Sequence, residues 1–348
     1  MDARSSPVLS QTHQGNYHPA SHAHRERVVR VVYASRSNVS NSVYEEMRKI
    51  REQALCRNVA DGVNVALLHQ SGWFTQWMEG PAPGVQALLA RVTNDSRHQS
   101  LYMLHQSNGP RRLTEPWSMA VVQTQEPAAD FASRVVTLRG EYARNSVLDP
   151  ASVWRRLSTP LSHPGATQQA QSDHFQRVMV CSSQGSDSFG LVRWLGREYS
   201  AEVVHRRFVG SCPNSPDVGT DYVDLATDTV VRRVIAMARN GLQIGLTQAF
   251  LVDYSHVILL LSGSEERDRS LVDRLHVACA YLAHRPVIVG LGPPSCDHTA
   301  LQRLARSGGM VYLDCLLAAD MGPESLWAAA ESVLNQGVAV NSVWPPAA

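Results

Sequence analysis

The chain has 348 residues, of which 44% are apolar and 18% charged, and its formal net charge is +1. This length allows two domains that each bury a full core. The balanced charge excludes the basic footprint of a nucleic-acid-binding protein, and no apolar run approaches the ~18 residues of a membrane helix. The six cysteines are widely spaced, without a Cys-x-x-Cys pair or a secretory signal, so we expect reduced thiols in a soluble, cytoplasmic protein.

Residues 1–26 are rich in Ser, His and Gln and have almost no apolar periodicity, which predicts a disordered tail. Its histidines lack cysteine or acidic partners at ligand spacing. The sequence therefore predicts no metal site. The histidines concerned are His13, His18, His22 and His24.

Residues 27–125 carry strand and helix signals in the order βαββαββ. A Gln70-Ser71-Gly72 turn joins the second and third strands as a hairpin. We therefore expect an α+β sheet with two helices on one face, a ferredoxin-like plan. The predicted strands are 27–33, 63–69, 73–78, 101–106 and 118–122, and the predicted helices surround 43–54 and 84–93.

The remaining residues predict a short helical region, a linker and a second domain. Residues 126–158 indicate two capping or output helices, and 159–173 have the Ser, Thr, Gln and Pro content of a linker. From 174 to 340 strands alternate with helices, which predicts a doubly wound α/β sheet covered on both faces. The strands are 178–181, 202–209, 222–225, 256–261, 286–290 and 311–313, and the helices are 189–199, 229–239, 267–283, 299–305 and 323–334.

Several separated motifs in the first domain point to a binding site. Gln76 shares one strand face with Phe74 and Met78, and a buried amide must find hydrogen-bond partners or cost ~1–3 kcal/mol. The motifs are Tyr33 at the end of the first strand, Asn58 four residues before Gly62, Phe-Thr-Gln-Trp-Met-Glu-Gly at 74–80, and Trp117-Ser118-Met119 at the last strand.

The order and spacing of these motifs resemble the BLUF family, the sensors of blue light using FAD. The resemblance implies that FAD binds between the sheet and the two helices. It also implies that Gln76 bridges Tyr33 to the flavin N5 and C4 carbonyl edge, and that Asn58 pairs with the C4 carbonyl and N3. Ile50 matches a family position that packs on the isoalloxazine ring. Arg91 matches a family position that holds the far edge of the flavin or its ribityl-phosphate tail.

In this family interpretation the protein is a photoswitch that turns over no substrate. Tyr33 gives an electron and then a proton, through Gln76, to the excited flavin, and the Gln76 amide ends rotated or tautomerised with a new hydrogen bond. Trp117 and Met119 are the output residues, which exchange places near Gln76 and move the last strand and the helices after residue 127. The switch would be a population shift between two packings.

Three departures from the family pattern leave an alternative open. Arg57 stands where many members have a second Asn, Val65 where they have Gly, and Thr75 where they have an aliphatic residue. Val65 could narrow the flavin slot. The alternative is a protein-interaction module that keeps the BLUF scaffold without flavin.

The second domain weakly resembles a degenerate Ras-like P-loop GTPase. Residues 178–188 occupy the P-loop position, but Asp187 replaces the lysine that would bind phosphate, and Leu291-Gly292-Pro293-Pro294 replaces a base-reading motif. Ser188 and Asp224 are either relics of magnesium contacts or, for a Ser that opens a helix, simply an N-cap.

We therefore expect the second domain to be an interaction module that binds a protein partner. The sequence leaves open whether the chain also forms a homo-oligomer. A light-regulated nucleotide-binding effector is the enzymatic alternative, which the missing lysine argues against.

Overall fold

A computed structural model describes residues 27–124, 126–144, 148–158, 175–209, 217–226, 230–280, 282, 284–317 and 321–338. The predicted tail and the predicted linker lie outside the described residues, as does Cys212. The five cysteines within the described ranges are free.

The first domain has the predicted order of seven elements, and the expected mixed α/β structure is confirmed. Its strands pair in the order β4-β1-β3-β2-β5, with the first four antiparallel and β5 parallel to β2. Two further helices follow. The elements are β1 Arg27–Ser37, α1 Val43–Ala60, β2 Asn64–Gln70, β3 Trp73–Gly80, α2 Ala82–Thr93, β4 His98–Pro110, β5 Ser118–Gln123, α3 Ala128–Ala143 and α4 Pro150–Ser158.

The two faces of this sheet carry different layers. α1 and α2 cover the face that contains Tyr33, Met78 and Met119. α3 and α4 cover the opposite face, where Trp77 packs with Trp154. Side chains alternate between faces along each strand, so Gln76 and its neighbour Trp77 point into different layers.

The second half continues the same sheet. Five strands are parallel in the order β12-β11-β10-β6-β9, and β8 and β7 follow as antiparallel strands. α5 and α9 pack on one face, α7 and α8 on the other. The elements are β6 Phe175–Ser182, α5 Asp187–Glu198, β7 Val204–Val209, β8 Val218–Ala226, β9 Val231–Met237, α6 Gly245–Phe250, β10 His256–Leu260, α7 Glu265–Cys279, β11 Val287–Gly292, α8 His298–Ser307, β12 Tyr312–Leu316 and α9 Pro323–Val338, with 3-10 turns Arg239–Gln243 and Leu251–Asp253.

The helix predicted over 229–239 is wrong, because Val231–Met237 forms strand β9 instead. β9 lies between β6 and β8 and is buried on both faces, so its sequence lacks the alternation of a half-exposed strand. Its two arginines are paired within the protein. Arg232 donates to Gln176 at 2.7 Å, and Arg233 binds Asp224. β-branched residues around these arginines favour the strand.

One antiparallel pair joins the two halves. β5 of the first domain pairs with β7 along residues 119–123 and 205–209, so the twelve strands of the described ranges form a single sheet. α6 of the second half also packs on the first domain, through Leu246 and Ala249 in the layer that contains Trp77. The first domain is therefore fixed to the second half of the chain through both a strand edge and a core layer.

Candidate functional site

A transverse row of residues crosses the sheet of the first domain. Tyr33 on β1 lies opposite Gln76 on β3, Gln76 opposite Leu67 on β2, and Leu67 opposite Met119 on β5. Residues directly opposite in a sheet share a face, so this register brings three of the predicted switch residues to one side. The row lies beneath α1 and α2.

Tyr33 and Gln76 are in direct contact. The Tyr33 hydroxyl donates a hydrogen bond to Gln76 Oε1, and the two residues are 0% and 3% exposed. Burial, together with the nearby Asp95 carboxylate, raises the pKa of Tyr33 well above its usual value. The phenol is therefore held protonated, as a donor to the amide oxygen.

Asn58 supplies an amide whose side chain has no partner among the described residues. It is fully buried on α1, and neither its Oδ1 nor its Nδ2 makes a hydrogen bond there. The position is fixed locally, because the Val63 amide donates to the Asn58 carbonyl at 2.9 Å and Gly62 turns the chain with a φ of +65°. Orphaned polar atoms of this kind cost ~1–3 kcal/mol and need an explanation.

α1 presents its site residues on one face. Ser42 caps the helix by accepting from the Glu45 amide at 3.4 Å, and Met47, Ile50 and Asn58 are buried at helical spacing. Ile50 lies in the same apolar layer as Tyr33.

Trp117 and Met119 both belong to this layer. Each is buried against the residues that surround Tyr33, and Met119 is in the transverse row. Trp117 precedes the first residue of β5, and its Nε1 is buried with no hydrogen-bond partner in the described residues. The two predicted output residues thus lie on the strand edge that meets the second half of the chain.

Arg91 lies apart from these residues. Its guanidinium binds the Asp61 carboxylate at 2.8 Å, at the C-cap of α1, and both side chains are about one-third exposed. The contact joins the two helices at the rim of the layer.

The acidic residue of the 74–80 motif has a structural role. Glu79 is fully buried and accepts from Trp77 Nε1 at 3.0 Å and from the amides of Arg112 and Leu113 at 2.6 and 2.9 Å. Burial raises its pKa, and these hydrogen bonds oppose the rise. Glu79 therefore fixes the β4–β5 loop that leads into Trp117.

The sequence did not identify two residues that lie near the site. His98 hydrogen bonds Ser35 at 2.8 Å and lies 4.7 Å from the Phe74 ring, but the predicted strand began three residues later. Burial lowers the pKa of His98 to about 4. Arg51 is a buried cation on α1, four residues after Met47, and helical spacing alone could have found it.

The three departures from the family pattern occupy different surroundings. Arg57 is exposed on α1 and so points away from the layer that contains Tyr33. Thr75 is adjacent to Gln76 in β3 and therefore faces the opposite layer. Val65 alone is buried among the residues around Tyr33.

The residues singled out in the second half form no comparable site. Ser188 lies inside α5, whose N-cap is Ser186, so the N-cap expectation for Ser188 is wrong by two residues. Asp224 accepts from Arg233 at 2.7 Å through both oxygens. Across the described ranges, no three His, Cys, Asp or Glu side chains gather as a metal site. Within those ranges no helix is both long and apolar enough to cross a membrane.

Comparison with known proteins identifies the first domain. Residues 28–120 match a family described as BLUF, sensors of blue-light using FAD. This segment is therefore a BLUF domain of a photoreceptor family, and its cofactor is FAD.

The chain is also similar to several solved structures. It has 23% identity to "BlsA photo-activated state", covering 39% of this chain and 96% of that one with a TM-score of 0.28. The dark-state BLUF protein BlrB has 20% identity, 39% and 99% coverage and a TM-score of 0.27. Klebsiella pneumoniae BlrP1 with FMN and cyclic diGMP has 12% identity, 82% and 76% coverage and a TM-score of 0.28. No curated protein matches the chain.

Proposed function

We propose that this chain is a blue-light photoreceptor in which a hydrogen-bond switch at Tyr33 and Gln76 is relayed through β5 to the C-terminal sheet. The observation that carries the proposal is the register Tyr33–Gln76–Leu67–Met119 together with the β5–β7 pair. The second domain is then an output module that binds a protein partner and catalyses no reaction.

The residues present fit FAD. The Asn58 amide, which has no partner among the described residues, offers one acceptor and two donors, which complement a flavin C4 carbonyl and N3. Ile50 and Val65 provide apolar surface for the ring. Arg91 is at the rim, where a cationic group would suit the ribityl-phosphate tail.

The side chains of Tyr33 and Gln76 carry out the chemistry of the switch. Bound FAD supplies the absorption of blue light and an electron acceptor. Tyr33 holds its proton on the hydroxyl and shares it with Gln76 Oε1. The Gln76 amide carries both a donor and an acceptor. When Tyr33 loses its electron and proton, the amide can therefore rotate or tautomerise to form a new hydrogen bond.

The signal passes from Gln76 to the second domain through neighbouring strands of the sheet. A new Gln76 hydrogen bond alters the packing of Leu67 and Met119, its neighbours in the transverse row. Met119 and Trp117 shift with β5, and β7 must adjust because it shares the β5 ladder. A shift of a few kcal/mol between two packings is enough for such a signal.

A second set of contacts supports the relay. Tyr44 near the start of α1 donates to Asp217, and Arg207 of β7 donates to the same carboxylate at 2.7 Å. In the β4–β5 loop, Thr114 donates to Gln248 of α6 at 2.9 Å. Both the flavin-side helix and the loop before Trp117 thus contact the second domain.

The finer fold assignments are part of this proposal. The order β4-β1-β3-β2 supports a ferredoxin-like plan, and helices on both faces of the parallel strands support a doubly wound second domain. The flanking of β6 by β9 and β10, with Asp187 at the lysine position, supports a degenerate Ras-like module. Such a module would serve recognition better than nucleotide hydrolysis.

The experiment is an absorption spectrum of the purified chain before and after blue light. A flavin spectrum that shifts to the red on illumination and relaxes in darkness is the expected result. A colourless protein that cannot be reconstituted with FAD would contradict the proposal and leave a BLUF-shaped interaction module.

A further inference from the structure

The β4–β5 loop is bound to helix α6 of the second half immediately before Trp117. The carboxyl group of Glu115 accepts a hydrogen bond from the Gly245 amide, at the first residue of α6. Thr114 donates to Gln248 of the same helix at 2.9 Å. We call these two hydrogen bonds the loop–helix contact. Both come from the short stretch of chain that leads into the predicted output residue.

The loop approaches α6 so closely that position 245 has no room for a side chain. A Cβ atom at Gly245 would lie 2.8 Å from Thr114 Oγ1 and 3.0 Å from both the backbone nitrogen and the Cγ of Glu115. Because the Glu115 nitrogen belongs to the backbone, the loop itself would have to shift to relieve these contacts. Glycine at 245 therefore permits the loop–helix contact.

Glu115 supplies what the helix lacks at this end. The first amides of a helix have no acceptor within the helix, and the N-cap of α6, Ile244, makes no side-chain hydrogen bond to them. The Glu115 carboxyl provides that acceptor from the other half of the chain. It is also bound by the Ser118 hydroxyl at 3.4 Å, at the first residue of β5. Glu115 thus joins α6 to the start of the strand that follows Trp117.

Pro116 makes the link between Glu115 and Trp117 stiff. The proline ring fixes its own φ at about −65° and restricts the preceding residue to extended conformations. The start of the loop is held separately, because Glu79 binds two of its amides at 2.6 and 2.9 Å. A displacement of Trp117 is therefore transmitted to Glu115 instead of being absorbed by rotation at Pro116.

The Trp117 side chain has no hydrogen bond of its own among the described residues. It is 2% exposed in the layer around Tyr33, and its Nε1 is buried without a partner there. Apolar packing is not directional. The position of the indole therefore depends on where the loop places its backbone.

We propose that Glu115 is a positioning residue for Trp117, and that the loop–helix contact favours the dark packing of the switch. The inference rests on the proposed photoreceptor function, in which Trp117 changes place under light. When Trp117 moves, Glu115 is drawn away from the Gly245 amide and the contact opens. The contact closes again as the protein returns to the dark packing. A chain without the contact has lost part of the stabilisation of that packing, so its return is slower.

α6 also contacts the strand that carries Gln76. Leu246 is buried in the layer that contains Trp77, and the Phe250 ring lies 6.1 Å from the Trp77 ring. Trp77 is the residue after Gln76 in β3. One short helix of the second half therefore contacts both the loop before Trp117 and the residue next to the switch amide.

The test is the dark recovery of the red-shifted flavin band in the full chain loaded with FAD, followed by absorption after a pulse of blue light. Gly245→Ala removes no hydrogen-bonding group and displaces the loop. It should slow the recovery at least about threefold, the effect of losing one hydrogen bond. Gly190→Ala in α5 is the matched control, because a Cβ atom there meets nothing within 4 Å. This control should recover at the normal rate.

Two variants of Glu115 separate positioning from support of the fold. Glu115→Ala removes the acceptor and should slow the recovery as Gly245→Ala does. Glu115→Gln keeps an oxygen that accepts from the Gly245 amide, so it should recover within about twofold of the normal rate. In darkness, hydrogen exchange of the amides of 244–250 should be faster in Gly245→Ala and Glu115→Ala than in the unaltered chain. A purely structural role would lower the Tm of these variants and leave the recovery rate unchanged.

The failure of this inference and that of the proposed function give different results. A normal red shift with unchanged or faster recovery in both Gly245→Ala and Glu115→Ala would overturn the role of Glu115 and leave the photoreceptor function intact. An unaltered chain that shows no red shift would overturn the proposed function, and the role of Glu115 with it.

Discussion

Met119 of β5 lies directly opposite Val209 of β7 in an antiparallel ladder. The strand that Trp117 leads into is therefore also the strand that joins the BLUF domain to the rest of the sheet. In the same transverse row, Met119 is separated from Gln76 by Leu67 alone. The proposed photoswitch and the proposed output strand are thus neighbours within one hydrogen-bonded sheet.

The Tyr33–Gln76 contact predicts that the light response requires both residues. Tyr33→Phe removes the hydroxyl that donates to Gln76, and Gln76→Leu removes the amide that receives it. Both variants should retain flavin and lose the light-induced red shift, measured by absorption spectroscopy.

The matched control for these variants is Tyr102→Phe. Tyr102 is a partly buried tyrosine on β4 that packs in the opposite layer, 6.1 Å from the Trp73 ring. It should keep a full red shift. A normal shift in both Tyr33→Phe and Gln76→Leu would contradict the assigned switch.

Asn58→Leu should affect stability and flavin binding in opposite directions. In the flavin-free protein it removes a buried amide without partners among the described residues, so the free energy of unfolding should rise by about 1–3 kcal/mol. With FAD, the lost hydrogen bonds should weaken binding by about tenfold or more. Denaturation of the apoprotein and flavin titration measure the two effects, and unchanged flavin affinity would refute the role of Asn58.

The sequence predicted the site residues that belong to recognisable motifs, and it did not predict contacts between elements that are distant along the chain. The motif resemblance identifies Tyr33, Gln76 and Met119, whereas apolar alternation does not mark their face of the sheet, because β3 is buried along its whole length. His98 was missed because its strand begins with polar residues, and Arg91 pairs with Asp61, a contact between two helices that no local pattern shows.

The second half was harder to predict. Val231–Met237 is buried on both faces and contains two arginines, so neither helix nor strand periodicity describes it. The arginines are tolerated because Asp224, opposite Arg233 on β8, and Gln176, on β6, are their partners. The β5–β7 pair depends on tertiary packing in the same way, since nothing local in 118–123 indicates that its edge is covered.

Acid should destabilise the folded chain through its buried histidines. Burial lowers the pKa of His69 to about 4, and those of His98 and His105 likewise. These groups are neutral when folded, while the unfolded chain gains protons as the pH falls below about 6.5. Their contribution is therefore fully present above pH 6.5 and is lost progressively down to about pH 4.

Urea denaturation between pH 7 and pH 4.5 would measure this effect. His69 alone should contribute a slope of up to about 1.4 kcal/mol per pH unit, so His69→Leu should flatten the pH profile. An equal slope in the variant would show that His69 is not held neutral by the fold.

Trp154 should be a major contact between helix α4 and the sheet of the first domain. It is buried on α4, against Trp77 and within the layer that α6 completes. Trp154→Ala should lower the free energy of unfolding by about 3–5 kcal/mol in chemical denaturation. Tyr199→Ala, at an exposed aromatic after α5, should change it by less than about 0.5 kcal/mol. Similar losses in both variants would contradict this packing role.

The relay from Gln76 to the second domain is tested most directly by hydrogen exchange of the β7 amides, residues 204–209, in darkness and under blue light. β7 is paired on both edges, so slow exchange in the dark is the baseline. We predict faster exchange of this segment on illumination, no change in α8, and no light effect in Gln76→Leu. Identical β7 exchange in both conditions, in a protein whose flavin spectrum does shift, would contradict the relay through β5.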